Sequence, residues 1–166
     1  MAPLITPPTD VDLLHLRRCV TLAREALEEG DEPFGSLVVD AAGDIRFADR
    51  NRVSGGDHTR HPEFAIARWA VENLTEAQRA AATVYTSGEH CPMCSAAHAW
   101  VGLGRIVYAA SSDQLAVWRA AWGLPDAPVA SLPINKVAPD VPVSGPAPDL
   151  EDEIRELHAR AAGITV

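Results

Sequence analysis

Two short segments carry residue types suited to metal-assisted hydrolysis: His61-Pro62-Glu63 and Cys91-Pro92-Met93-Cys94. One imidazole and two thiolates give three protein ligands for a tetrahedral Zn2+. The fourth position is then left to water, as in a catalytic rather than a structural site. A structural zinc would need a fourth protein ligand, and only His58, His90 or Cys19 is on offer. Each has a simpler reading: His58 lies in a polar loop, His90 fixes the turn before Cys91, and Cys19 is a small buried hydrophobe in an apolar helical stretch. Glu63, two residues past His61, reaches the water without ligating the metal. Zinc lowers the pKa of its water to about 7, and a neighbouring carboxylate can take that proton and later deliver it to a substrate. These residues predict a zinc hydrolase with His61, Cys91 and Cys94 on the metal and Glu63 as acid/base.

Positioning these groups falls to two helix starts. Pro62 and Pro92 each suit the first turn of a helix, where a missing N–H costs nothing. Cys91 and Cys94, three positions apart across such a start, share one side, where free amides and the positive dipole end stabilise thiolates. Helices are expected at 62–73 and from Pro92 to Gly102 or Gly104. Around them, apolar spacing predicts a helix over 10–29, capped by Thr9 or Asp10 and stopped by Gly30. A β-hairpin is expected over 34–39 and 45–48, with strands at 83–86 and 105–110 and a helix at 113–122. Seven of the thirteen prolines fall between Gly123 and Pro148, so that stretch is expected to be irregular, with at most one short strand near 133–137. A helix over 149–162 closes the chain. Strands alternating with helices make this an α/β domain, a mixed sheet covered by helices.

At 166 residues and 17.7 kDa the chain fits one domain over 1–166, with residues 1–8 as a flexible amino end. Three cysteines, two of them in C-x-x-C, indicate a reducing compartment. With no signal-like or membrane-spanning run, a cytoplasmic protein without membrane contact is expected. The formal charge of −9 opposes binding to a polyphosphate backbone. Arg46, Arg50, Arg52 and Arg60 read as solvated hairpin and loop charges.

The H-x-E and C-x-x-C segments together form the signature of zinc deaminases. Glu32-Pro33-Phe34-Gly35 before a strand, Arg50-Asn51-Arg52, His61-Pro62-Glu63 and Thr86-Ser87-Gly88-Glu89-His90-Cys91-Pro92-Met93-Cys94 follow in that order. Over Leu22 to about Ala110 the chain resembles the cytidine and deoxycytidylate deaminase superfamily. Within it, the chain is similar to the branch of bacterial guanine deaminase, fungal cytosine deaminase and tRNA adenosine deaminase. The resemblance implies a three-layer α/β/α fold with a central mixed sheet of about five strands. It implies Zn2+ on His61, Cys91 and Cys94, with Glu63 as proton shuttle. It also implies that Asn51 binds the heterocycle, that Phe34 and Trp100 wall the pocket, that 123–166 lies near the active site, and that the chain is a homodimer. The implied reaction is hydrolytic release of ammonia from a small free nucleobase or related heterocycle, of guanine, cytosine or triazine type, with water as co-substrate. Pro62 and His90 depart from the usual Ala and Pro, and Asp126 is a candidate for the acidic residue that guanine deaminases place over the pocket. Alternatives are a tRNA-specific adenosine deaminase and a non-catalytic zinc-stabilised module. Glu89 is read as a cap of the helix starting at Pro92.

Overall fold

The computed structural model describes residues 5–165. Its sheet has the order β2-β1-β3-β4-β5, with strands at Gly35–Val39 (β1), Ile45–Arg50 (β2), Thr83–Gly88 (β3), Arg105–Ala110 (β4) and Val143–Ser144 (β5). β1 pairs antiparallel with both β2 and β3, whereas β3, β4 and β5 run parallel. Successive strand residues point to opposite faces, and the cores divide accordingly. Leu37, Val39, Tyr85, Val107 and Ala109 pack with Leu16, Val20 and Ala23 of helix α1 (Asp10–Glu28) and with Ile154 and Leu157 of α7 (Glu151–Ala161). Val38 and Val84 face the other way, onto Ile66, Ala67 and Ala70 of α2 (Pro62–Asn73), against which α4 (Pro92–Trp100) also packs. Helices therefore cover both faces, giving the three-layer α/β/α arrangement.

Gly35 sits where α1 crosses β1. A Cβ there would lie 2.4 Å from Cys19 O and from Leu22 Cβ, so only glycine lets the layers approach this closely.

Three further helices are α3 (Glu76–Ala81), α5 (Ser112–Ala121) and the single turn α6 (Ile134–Val137). α3 is absent from the sequence expectation, although its start carries a signal: Thr75 and Gln78 form a capping box. The short strand expected near 133–137 is instead helical. The fifth strand lies further on, at Val143–Ser144, too short to show a period in the sequence. Of the amino end expected to be flexible over 1–8, residues 1–4 lie outside the described residues. Thr6 forms a bridge to Ser144 beside β5, with its hydroxyl 2.7 Å from that of Ser144. Among the described residues no helix is long and apolar enough to cross a membrane.

Asp12 joins α1 to the sheet. Its buried carboxylate caps Thr9 N, accepts from Tyr85 OH at 2.9 Å, and takes a two-pronged contact from Arg105 at 3.0 and 2.8 Å. Burial alone would raise its pKa, but hydrogen bonds led by Arg105 and Thr9 outweigh that and hold it down at about 2. A carboxyl with a depressed folded-state pKa stabilises above its unfolded value and loses that contribution as pH falls through the folded one. Asp12→Asn is therefore expected to destabilise by about 2 kcal/mol at pH 7. In urea unfolding the difference from wild type should shrink between about pH 4 and pH 2. A pH-independent difference would show that the ion pair contributes nothing.

Candidate metal centre and active site

His61 and Cys91 are the N-cap residues of α2 and α4, and Pro62 and Pro92 occupy the first helical positions. Glu63 and Cys94 follow within the first turns, both buried. His61 Nδ1 lies 3.5 Å from Cys91 Sγ and 3.6 Å from Cys94 Sγ. All three donor atoms fall within 4.8 Å of one another. Ligands at ordinary Zn–N and Zn–S bond lengths around a tetrahedral centre sit about 3.5 Å apart, so this donor set fits a single Zn2+.

The thiols divide their proton unequally. A hydrogen bond from Cys94, assisted by His61, holds Cys91 down to about 4, although burial opposes it. Cys94, as the donor in that contact and deeply buried, is pushed well above the ordinary thiol range. His61 is raised, chiefly by Cys91. Glu63 is also raised, here by burial, against the pull of the Ser36 hydroxyl and of His61.

Two residues missed in the sequence hold Glu63. Ser36 and Thr86 are directly paired across β1 and β3, on the face turned to α2. The buried Ser36 hydroxyl donates to Glu63 Oε1 at 2.7 Å, and that of Thr86 lies 2.9 Å from the same oxygen and shares its proton with Gly88 O at 2.8 Å, while Oε2 faces Cys94 Sγ at 3.8 Å. One carboxyl oxygen is thus tied to the sheet and the other turned to the metal ligands. The strand period puts Ser36 and Thr86 on one face, but their pairing across β1 and β3 is not visible in either segment alone.

The centre opens into a cavity of about 800 Å³. Phe34 lines it, packed so close to β3 that a Cβ on Gly88 would meet its ring at 2.9 Å. His58 and Asp126 also line it, as do residues 124–132 and His158 of α7. Asn51 is fully buried beside Phe34, its N–H donating to Phe34 O at 3.0 Å. Its Oδ1 accepts from Val53 N at 3.1 Å, and its Nδ2 has no partner. Trp100 departs from expectation: it ends α4, is 86% exposed and does not line the cavity. Cys91 and Cys94 sit at the start of that helix, and the eight residues from Pro92 carry Trp100 about 12 Å along the axis.

Glu89 also differs from expectation. It leaves α4 uncapped and accepts from Ser112 N and Ile134 N, both at 2.8 Å. One carboxylate therefore holds the first residues of α5 and α6, the two ends of the wall that closes the cavity. His90 is buried edge-on to His98, with ring centroids 5.5 Å apart. Cys19 is fully buried and packed in the core under α1.

Residues 9–110 match the family model of the cytidine and deoxycytidylate deaminase zinc-binding region. The chain belongs to this deaminase family. It is 33% identical over 110 residues to a Schizosaccharomyces pombe protein named "Probable cytosine deaminase", covering 66% of this chain and 67% of that one. It is 35% identical over 102 residues to guanine deaminase of Bacillus subtilis, covering 61% and 65%. A solved structure of guanine deaminase from Nitrosomonas europaea superposes with a TM-score of 0.66 at 23% identity, over 95% of this chain and 88% of that one, a likeness of fold. The family match stops at residue 110, so α5, the 124–132 segment and α7 lie beyond it.

Metal binding requires deprotonated ligands. At pH 7 Cys91 is already a thiolate while Cys94 holds its proton, and Cys91 raises the pKa of His61. Titrating the metal-free protein with Zn2+ in buffers of differing ionisation enthalpy should show one site and release of about one proton or more. Binding without proton release would contradict this assignment of the donors.

Proposed function

We propose that the protein is a zinc-dependent hydrolase that removes the exocyclic amine of a small free nucleobase or related heterocycle as ammonia. The carrying observation is the two-ended grip on Glu63, with one oxygen anchored by Ser36 and Thr86 and the other turned to the His61, Cys91 and Cys94 donors. Those three residues would hold Zn2+, which when bound supplies the Lewis acidity that makes water nucleophilic near neutral pH. Glu63 Oε2 carries two protons in turn: it takes one from the attacking water and passes it to a ring nitrogen, then takes the second from the hydroxyl on the attacked carbon as the carbonyl forms and gives it to the departing amine. Burial suits it to this, because a raised pKa lets a carboxyl act as acid as well as base near neutrality.

The cavity gives the substrate an aromatic wall in Phe34. Asn51, hydrogen-bonded to the Phe34 backbone, is not among the residues lining the cavity, but its buried Nδ2 has no protein acceptor, and a heterocycle oxygen or nitrogen reaching it would supply one. The guanine and cytosine deaminases among the relatives support a free base as the substrate class.

Three of the four arginines near the site count against tRNA: Arg46 pairs with Asp40, Arg50 with Glu29 and Asp31, and Arg52 with Asp49, so these charges are balanced within the protein, and Arg60 alone of the four has no ion pair among the described residues. A chain of net charge −9 with these arginines neutralised has a poor electrostatic footprint for a polynucleotide.

Ammonia release from a panel of aminated purines, pyrimidines and triazines tests the reading. The zinc-loaded protein should turn over at least one of them. Glu63→Ala should lose about a hundredfold or more in kcat, in keeping with loss of a general acid/base. Ser36→Ala should lower kcat by about tenfold while zinc content and KM hold, because it loosens the proton carrier and not the ligands. Absence of turnover across the panel, or full activity in Glu63→Ala, would refute the proposal.

A further inference from the structure

The cavity has two differently built ends. Its inner end is the family portion of the chain, with His61, Glu63, Gly88 and Cys91, and its outer wall comes from α5 and residues 124–132. Among the described residues, α7 contributes one side chain to the lining, His158. Phe34 packs against that imidazole within the same cavity: its ring abuts the strand at Gly88 and meets His158 edge-on, with centroids 5.0 Å apart and planes at 65°. Trp118 stands on another side of the imidazole at 6.4 Å. His158 is therefore held by aromatic packing against Phe34 and Trp118.

Packing does not satisfy its polar atoms. No protein hydrogen bond reaches either ring nitrogen, and the forces acting on its titration are burial first and then the charge of Arg119. Both push its pKa down, to about 4. At neutral pH the side chain is an uncharged imidazole with one N–H donor and one lone-pair acceptor. A half-buried imidazole that lines a cavity and has no protein partner can take one from what fills that cavity.

We infer that His158 is a specificity-determining residue, hydrogen-bonding the edge of the heterocycle that lies away from the exocyclic amine. This rests on the deaminase reading and extends it. Glu63 serves the amine-bearing carbon, Phe34 the ring face, and His158 the far edge. The ligand class follows: an uncharged aminated heteroaromatic whose far edge carries a ring nitrogen or carbonyl oxygen. Bases lacking a polar atom there should be poor substrates, because they leave the imidazole unpaired.

The decisive variants are His158→Phe, which keeps an aromatic ring against Phe34 and Trp118 but removes both nitrogens, and His158→Gln, which restores a donor and an acceptor. Calorimetry with cytosine and guanine is done in the zinc-loaded Glu63→Ala protein, which can bind a base without consuming it. Adding His158→Phe should weaken binding of the preferred base by about tenfold, with zinc content and melting temperature unchanged. Adding His158→Gln should recover part of the loss. In the active protein, His158→Phe should raise KM more than it lowers kcat. It should also narrow the preference for the base over its deaza analogue, which has carbon in place of the far-edge nitrogen. Equal affinity and unchanged discrimination in His158→Phe would overturn the assignment and leave His158 as packing alone. Failure of every aminated purine, pyrimidine and triazine of the panel to bind while His158 is intact would instead refute the free-base reading itself.

Discussion

His61 and Cys91 each precede a proline that opens a helix, and both helices open beside the carboxyl end of β3. This meeting of two helix starts is the constraint on which the rest of the site depends. Proline at the first helical position fixes the backbone angle at which the chain enters and leaves the preceding residue extended. His61 and Cys91 are therefore presented from outside their helices, and Glu63 and Cys94 from within the first turns. The free amides and positive ends of both helices face the same point, which favours the thiolates and the negative charge of the reaction. The antiparallel pairing of β1 with β3 then brings Ser36 opposite Thr86 at the same place, and their hydroxyls complete the hold on Glu63.

The sheet keeps these helix starts together because its layers approach closely and are tied at the far side. Gly35 admits α1 against β1 without a side chain between them. Asp12 receives Arg105 and Tyr85 from the two central parallel strands, so the register of α1 is fixed against β3 and β4. At the site itself Glu89 works in the same way, with one carboxylate on the first amides of α5 and α6. The cavity wall beyond the family portion is thus hung from a residue within it.

What could be read from the sequence was what is local. The apolar period of α1, the hairpin turn around Gly43, the proline-led helix starts and the H-x-E and C-x-x-C spacings are each contained in a few residues. What could not be read depends on pairing across the fold. Ser36 and Thr86 look like ordinary strand residues until β1 and β3 are placed side by side, and Glu89 reads as a local cap until α5 and α6 return to it. The helical turn at Ile134 forms where a strand was expected because Glu89 holds its first amide. Trp100 was assigned to the pocket on likeness alone; counting residues along α4 puts it at the far end of the helix. α3 is a different case, since its Thr75–Gln78 capping box is as local as the other signals.

Anomalous diffraction from crystals of the zinc-loaded protein, recorded at the zinc edge, tests the central claim most directly. The account predicts one peak per chain at bonding distance from His61 Nδ1 and from the Sγ atoms of Cys91 and Cys94, with Glu63 outside the coordination sphere. A peak elsewhere, a fourth protein ligand closing the site, or crystals without bound zinc would contradict it.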